Sequence, residues 1–346
     1  MPFDVLLQPS GNRFAVPEGT SILKAGHDSN IPLPYSCRAG ACRTCRGRIL
    51  EGQVDYGHVH PTYLPLEERE QGYALLCQAQ PLSDLVIEVQ ELDIMGSIRS
   101  RICPGRVMEM RRVTPDVMIV RIKLPMNEDV QFLAGQFVEF VLANGERRAY
   151  SIASAPSIGG VRGIELHVRH TPGGLFTDYV FDGMQVHDLV RMELPLGTFF
   201  LRENSDKPLV MVASGTGFAP FKSILEYAQQ KQLNRPMTFY WGGRTRADLY
   251  EMDWVERYAA ANEAFRFIPV VSEATPAYGW NGRTGFVHRA VMEDFPDLSK
   301  HQVYACGAPV VIESAKRDFP KQCGLPPQEF FADSFLDAGD RARARS

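Results

Sequence analysis

Cys37, Cys42 and Cys45 stand in the string YSCRAGACRTCRG, separated by four residues and then by two, and Cys77 follows far downstream in ALLCQ. Thiolates at this spacing suit a [2Fe–2S] cluster whose fourth ligand arrives from a separate segment. Such a site needs a tight loop curled round the inorganic core with backbone N–H groups aimed at sulfur, and Gly40 and Ala41 supply the small side chains that permit close approach. A structural zinc site built from four cysteines is the competing reading, but it usually shows paired CxxC knuckles and only one CxxC occurs here. Cys37, Cys42, Cys45 and Cys77 are therefore expected as metal ligands. Arg38, Arg43, Arg46 and Arg48 crowd the same loop. They are either a solvated surface or a set of charges that raises a reduction potential and offers a basic rim to an acidic partner.

The rest of the chain must position this loop and whatever exchanges electrons with it. A length of 346 residues predicts two or three packed units. The composition, 45% hydrophobic and 23% charged, is that of a globular protein able to bury cores. A formal net charge of -4 argues against nucleic acid as the main ligand. No window holds a membrane-length apolar run, and the start MPFDVLLQPSGNRF lacks a basic segment followed by an apolar one. A cytoplasmic protein with neither membrane nor nucleic-acid partner is the expectation, and there seven cysteines, an odd number, favour metal ligation over disulfides.

Three rhythms follow one another. Residues 1–95 open with a predicted hairpin, Phe3 to Gln8 and Gly11 to Val16, then a short helix from Ile22 to Ala25 and strands at Gly47 to Glu51 and Leu85 to Gln90. This segment holds 7 basic against 12 acidic residues, a net of -5. Residues 100–203 read as an antiparallel β-barrel, with strands near Gly105 to Arg111, Val117 to Leu124, Gln136 to Leu142, Ile164 to His170 and Val190 to Leu194, and a helix from Leu175 to Phe181. In residues 204–346 strands and helices alternate, which predicts a parallel sheet with helical crossovers and a frayed polar tail, DAGDRARARS. In that third segment the strand Leu209 to Ala213 runs into Ser214-Gly215-Thr216-Gly217-Phe218-Ala219-Pro220, a tight turn onto a helix N-terminus suited to the phosphates of a nicotinamide dinucleotide. As a Rossmann fingerprint it fails, because Pro220 replaces the third glycine and no acidic residue ends the next strand.

On these motifs residues 1–95 resemble a plant-type ferredoxin domain, and the remainder resembles the ferredoxin-NADP reductase superfamily, whose version of the phosphate turn is GTGxAP. The implied fold is multidomain, α+β and α/β: a β-grasp ferredoxin domain, an antiparallel FAD-binding β-barrel and a parallel-sheet nicotinamide-binding domain. The resemblance implies roles for single residues. In Arg148-Ala149-Tyr150-Ser151 the arginine pairs with a phosphate, the tyrosine packs on the flavin ring and the serine lies near flavin N5. In Gly173-Gly174-Leu175-Phe176-Thr177 the turn at Gly174 and the Thr177 hydroxyl cradle the flavin pyrophosphate. Gly135-Gln136-Phe137 and Gly197-Thr198-Phe199 match the barrel pattern and have a purely structural alternative. Gly215, Thr216, Gly217 and Pro220 hold the nicotinamide dinucleotide, and Cys306 lies beside the nicotinamide. Asp333 supports Ser151, and Phe335 covers the flavin until nicotinamide displaces it; eleven residues continue past Phe335, unlike members that stop at the aromatic. Arg244 and Arg246 suit a 2′-phosphate, yet similar NADH-dependent reductases also carry arginine there, so NADH is expected with NADPH possible. Cys103 and Cys323 are expected as buried apolar residues, and the eight histidines as surface or packing groups.

The implied activity is an NAD(P)H-dependent oxidoreductase. Nicotinamide gives up two electrons together and the cluster accepts one, so FAD must stand between them. The electrons are expected to leave to a partner protein. The ferredoxin-first order and the segments ELHVR, SGTGFAP, FVHRAV and VYACG are similar to CDP-6-deoxy-3,4-glucoseen reductases, which serve a pyridoxamine-phosphate (PMP)-dependent sugar dehydrase; reductase components of oxygenases share the same parts. The alternatives are a stand-alone NADH diaphorase or flavin reductase and a non-enzymatic four-cysteine redox-sensing or zinc protein.

Overall fold

The computed structural model describes residues 2–92, 98–126, 130–157, 160–274 and 280–336. The junction expected at residue 95 and the tail 337–346 lie outside them. The chain divides into two compact units, Met1–Arg99 with Asp333–Ser346, and Ser100–Ala332.

The first unit contains β1 (Phe3–Gln8), β2 (Arg13–Val16), α1 (Ile22–Asp28), β3 (Arg46–Glu51), β4 (Val54–Asp55), α2 (Leu66–Glu70), β5 (Tyr73–Leu75), β6 (Gln80–Pro81) and β7 (Leu85–Glu88). Strands β1 and β2 form the expected hairpin, and alternate residues Val5, Leu7, Phe14 and Val16 are buried. The sheet runs β2-β1-β7-β3-β5, with β1 and β7 parallel. Helix α1 buries Ile22, Leu23, Ala25 and Gly26 and is capped by Ser21, whose Oγ accepts from the Lys24 N–H. A sheet of this order with one packed helix is the β-grasp arrangement. The helix passes the expected stop at Ala25 because Gly26 fits close contact: a Cβ there would lie 2.6 Å from Leu33 Cδ1. Elements α2, β4, β5 and β6 went unforeseen, being too short for any periodicity to show.

The second unit begins with a closed antiparallel barrel, β8 (Arg101–Thr114), β9 (Val117–Lys123), β10 (Phe137–Val141), β11 (Arg147–Ser151), β12 (Gly163–Arg169) and β13 (Leu189–Leu196), in the order β11-β10-β13-β8-β9-β12. A bridge between Ile152 and Leu166 joins the two ends. Its core is a cluster that includes Val107, Val120, Ile122, Val138, Phe140 and Leu166. The predicted helix after Gly174 is α3 (Leu175–Asp178), and it continues as a π-turn over Tyr179–Gly183.

The remainder builds the parallel sheet β17-β16-β15-β14-β18-β19 from β14 (Leu209–Ser214), β15 (Met237–Gly243), β16 (Phe265–Val271), β17 (Arg283–Thr284), β18 (Gln302–Gly307) and β19 (Phe330–Ser334), whose last two residues belong to the first unit. Strands β14 and β18 are buried almost throughout, as parallel strands covered on both faces must be. The connecting helices are α4 (Phe218–Gln230), α5 (Met252–Ala261), α6 (Val287–Asp294) and α7 (Pro309–Cys323). Helix α7 runs through Pro320 and ends where Gly324 turns left-handed at φ 65°. Helix α6 starts after Gly285, whose φ of 104° excludes it from the helix. Cys103 and Cys323 are buried, as expected.

Candidate functional site

The loop between α1 and β3, with Cys37, Cys42 and Cys45, and the segment after β5, with Cys77, bring the four cysteines together as two pairs. Cys37 and Cys42 form one hydrogen-bonded thiol pair, and Cys45 and Cys77 form the other. Backbone donors converge on the sulfurs: Ala39 and Cys42 N–H groups lie 3.3 Å from Cys37 Sγ, and the Cys37 N–H lies 3.4 Å from Cys42 Sγ. The Gly40 N–H serves Cys77, and Gly40 adopts φ 76° to do so. Cys77 is registered by β5, since the next residue after that strand, Leu76, donates its N–H to the Cys45 carbonyl at 3.0 Å. Within the first pair the Cys37 thiol, aided by Thr44, holds Cys42 well below the usual thiol range, while Cys42 and burial push Cys37 up. Among the described residues no three His, Cys, Asp or Glu side chains surround one point as a single ion requires. Two pairs of thiols are what a two-iron core with two ligands per iron would need.

Asp333, at the end of β19, accepts a 2.5 Å hydrogen bond from Ser36 Oγ, the residue preceding Cys37. Burial pushes its carboxyl up to about 6, against the opposing hydrogen bond from Ser36. Phe335 is half-buried.

In the barrel, Arg148 pairs with Glu146, and the Tyr150 ring packs 5.2 Å from Phe176 and 5.9 Å from Phe140. The Ser151 hydroxyl is buried without a hydrogen-bond partner. A buried hydroxyl in that state is suited to a bound group that completes it. Gly174 caps α3 and sits in a cradle that a side chain would fill, since a Cβ would stand 2.6 Å from Thr177 Oγ1 and 2.8 Å from the Thr171 carbonyl. Thr177 is engaged locally, donating to Thr171 O at 2.9 Å and closing the turn. Gln136 is structural: it accepts from the Leu133 N–H and donates to Gly197 O, tying the two barrel motifs together.

At the end of β14, Gly215–Gly217 forms a 3-10 turn that leads directly into α4, with Thr216 buried and Pro220 in the helix's first turn. This turn presses against the one after β18: a Cβ on Gly217 would lie 2.2 Å from the Cys306 carbonyl oxygen, and Ser214 Oγ accepts from the Ala308 N–H at 2.8 Å. Cys306 is wholly buried there. Arg169 of β12 lies against Gly215 and bridges Asp116 at 3.2 Å and Asp248 at 3.0 Å. Asp248 also accepts from the Arg244 and Thr245 N–H groups. Burial raises its carboxyl, but the Thr245 N–H and Arg169 outweigh this and hold it below the ordinary range. Arg244 and Arg246 are exposed, with Arg244 3.6 Å from Asp248.

Sequence reasoning missed a buried polar cluster at the same place. His167 Nδ1 lies 2.7 Å from the Tyr250 hydroxyl and Nε2 3.1 Å from Glu165 Oε1, while Glu165 also meets Lys222 at 3.1 Å and Arg121 at 2.9 Å. Burial lowers the His167 pKa, and these partners assign a neutral ring with hydrogen on Nε2. Burial pushes Glu165 up, but His167 and Lys222 draw it far below the carboxylate range. The available signal was alternation in ELHVR. Ile164, Leu166 and Val168 enter the barrel core, so Glu165, His167 and Arg169 share the opposite face, where Glu165 and His167 are also buried.

Residues 5–82 match the 2Fe-2S iron-sulfur cluster binding domain, 104–201 the oxidoreductase FAD-binding domain and 211–317 the oxidoreductase NAD-binding domain. The chain is 38% identical over 336 residues to CDP-6-deoxy-L-threo-D-glycero-4-hexulose-3-dehydrase reductase of Yersinia pseudotuberculosis, covering 97% of this chain and 99% of that protein. It is 33% identical to terephthalate 1,2-dioxygenase reductase component 1 of Comamonas, covering 97% and 98%. The crystal structure of the Amycolatopsis cytochrome P450 reductase GcoB superposes with a TM-score of 0.77 at 33% identity, over 97% of this chain and 99% of that one. Among the described residues no helix is long and apolar enough to cross a membrane.

Proposed function

This chain belongs to the iron–sulfur flavoprotein reductases of the ferredoxin-NADP reductase superfamily, and we propose that its cysteines hold a cluster between two thiolate pairs that delivers single electrons to a partner enzyme. The observation that carries this reading is the pairing of Cys37 with Cys42 and of Cys45 with Cys77, which would supply two thiolates to each iron of such a cluster. NAD(P)H, FAD and the cluster together supply the conversion of a two-electron donor into one-electron deliveries.

The chain's own residues bind and orient. Backbone N–H groups of residues 39, 40 and 42 stabilise anionic sulfur and keep water from it. Arg148, paired here with Glu146, would hold a flavin phosphate, Tyr150 would offer its ring, Ser151 would give its unpartnered hydroxyl to the flavin, and Gly174 with Thr177 would shape the pyrophosphate turn. Gly215, Thr216 and Gly217 would offer backbone N–H donors at the N-terminus of α4 to the dinucleotide phosphates, Pro220, which has no N–H, fixes the first turn of that helix, and Cys306 would wall the nicotinamide side. Asp333 braces the cysteine loop through Ser36. Arg244 is partly compensated by Asp248, whose carboxylate disfavours a 2′-phosphate, so NADH is the preferred donor. The acceptor is an oxygenase or a sugar-nucleotide dehydrase, the two kinds of enzyme named with the relatives.

Electron paramagnetic resonance of dithionite-reduced protein tests the reading. A spin-coupled two-iron signal is expected, and Cys45→Ser should abolish it and bring cytochrome c reduction to background while NADH still bleaches the flavin. Undiminished cytochrome c reduction by Cys45→Ser would sink the proposal. A higher kcat/KM with NADPH, lost in Arg244→Ala, would reverse the donor assignment.

A further inference from the structure

We propose that His167 and Tyr250 are positioning residues for the dinucleotide: His167 holds the Tyr250 hydroxyl, Tyr250 holds Trp241, and Trp241 sets the direction of the Gly215–Thr216 peptide. The proposal rests on the reading that the 215–217 turn receives the dinucleotide phosphates, and it names the side chains that aim the backbone of that turn.

A carboxylate, an imidazole and a phenol stand in a row at the start of this chain of contacts. Glu165 stays ionised, so it accepts from His167 Nε2–H at 3.1 Å and leaves Nδ1 bare. Burial pushes the Tyr250 phenol well up, so the hydroxyl keeps its proton and donates it to that bare Nδ1 at 2.7 Å. Each contact has one donor and one acceptor, and a ring turned over would put carbon where each nitrogen stands. Lys222 meets Glu165 at 3.1 Å and completes the carboxylate. Apolar side chains of similar volume often stabilise such a buried place as well, so what the charged set adds is direction.

The direction is passed on through aromatic rings. Tyr250 stands edge-on to Trp241, with centroids 5.3 Å apart and planes at 86°, and Phe218 stacks on Trp241 at 4.4 Å. The indole held by these two rings donates from Nε1 to the Gly215 carbonyl at 2.9 Å. The Gly215–Thr216 peptide is trans, since the cis bonds among the described residues are Gln8-Pro9 and Leu194-Pro195. In a trans peptide the carbonyl and the N–H point opposite ways, so a Gly215 carbonyl drawn to the indole sends the Thr216 N–H to the other side. A turn that receives phosphate needs this, because a carbonyl oxygen facing the anion repels it and an N–H attracts it.

Strand β12 braces the same turn a second time. Arg169 stands one step further along the polar face that carries His167. It lies against Gly215, whose φ of 52° is left-handed, and it pairs with Asp248, two residues before Tyr250. One strand therefore grips both the phosphate turn and the turn that delivers Tyr250. Packing alone would need only the Tyr250 ring; the hydroxyl and its acceptor matter where the placement of that ring matters.

The test uses oxidised holoprotein and ADP-ribose, which carries the pyrophosphate of the dinucleotide without its nicotinamide ring, with binding read by isothermal titration calorimetry. Tyr250→Phe keeps the ring and removes the hydroxyl, and the dissociation constant should rise about fivefold, as the loss of one hydrogen bond implies. KM for NADH should rise by the same factor while kcat stays within about twofold. His167→Leu should match Tyr250→Phe, and the double variant should lose no more than either single one, because the two residues act as one. His167→Asn puts Oδ1 where Nδ1 stood, so affinity should return to within about twofold of wild type. Val291→Ala, a core cavity on α6, should lower the thermal midpoint with ADP-ribose affinity kept, which separates aim from stability. Unchanged affinity in Tyr250→Phe, additive losses in the double variant, or equal weakening by Val291→Ala would overturn the proposal. Wild-type protein that binds no ADP-ribose would remove the reading of the turn itself; wild-type binding matched by Tyr250→Phe would remove the positioning role alone.

Discussion

The cysteine loop and the polar face of β12 both hold charge away from water, and they do so with different materials. The loop uses backbone: N–H groups of Ala39, Gly40 and Cys42 face sulfur, and a left-handed glycine makes room for them. The β12 face uses side chains from distant segments, with Glu165 and His167 of the barrel meeting Lys222 of α4 and Tyr250. A site made of backbone depends on spacing and small residues within one short string. A site made of side chains depends on partners of opposite charge that meet only after folding, and removing one partner strands the rest.

The contrast is broken most forcefully at Lys222. Lys222→Met leaves the buried Glu165 carboxylate and Glu226 without their shared cation, and the second unit should lose about 3–5 kcal/mol. Calorimetry should show the unit that bears the flavin melting lower while the cluster's visible band keeps its midpoint; an unchanged melt would mean that the network is dispensable. Acid should act in the same direction. Folding depresses the pKa of both His167 and Glu165, so the unfolded chain binds more protons in each window. The stability they confer is present above the unfolded values and drains away as pH falls, first below about 6.5 for His167 and then below about 4.5 for Glu165. Gly217→Ala should cost less, about 1–3 kcal/mol, because its Cβ would meet the Cys306 carbonyl oxygen at 2.2 Å and the two turns would have to part. Here the diagnostic is a raised KM for NADH with flavin absorbance retained, and an unaltered KM would show that the turn tolerates the methyl.

This difference in material also decides what could be read before folding. The cysteine string and the turn in SGTGFAP are local, so spacing and residue type already declare a chemistry, RAYS and GGLFT speak only through the family resemblance, and strands such as Leu209–Ser214 announce themselves by a continuous apolar run that the fold buries. Strand β5 is three residues long and exists because β3 offers it an edge, and nothing in YAL marks it as the segment that delivers Cys77. The partner of Asp333 was equally hidden. Resemblance linked Asp333 to Ser151 and gave no hint of the hydrogen bond from Ser36, 297 residues away in sequence. No periodicity reports a pairing across that separation.

Asp333 also sharpens the contrast, because its titration runs opposite to that of the β12 face. Burial raises its pKa to about 6 from an ordinary 3.8, so the folded chain binds the proton more tightly than the unfolded one. Its contribution is complete below about 3.8 and is lost as pH rises through about 6, a penalty of at most about 3 kcal/mol for a two-unit shift. Asp333→Asn removes the ionisation but leaves a buried amide on Ser36, which reduces the net gain to about 1 kcal/mol at pH 8. Denaturant titrations followed at the cluster's visible band should therefore show the variant more stable than wild type at pH 8 and nearly equal to it at pH 5.5. The same increment at both values would mean that the Asp333 carboxyl does not ionise in this window, and that the two regions share one direction of pH dependence after all.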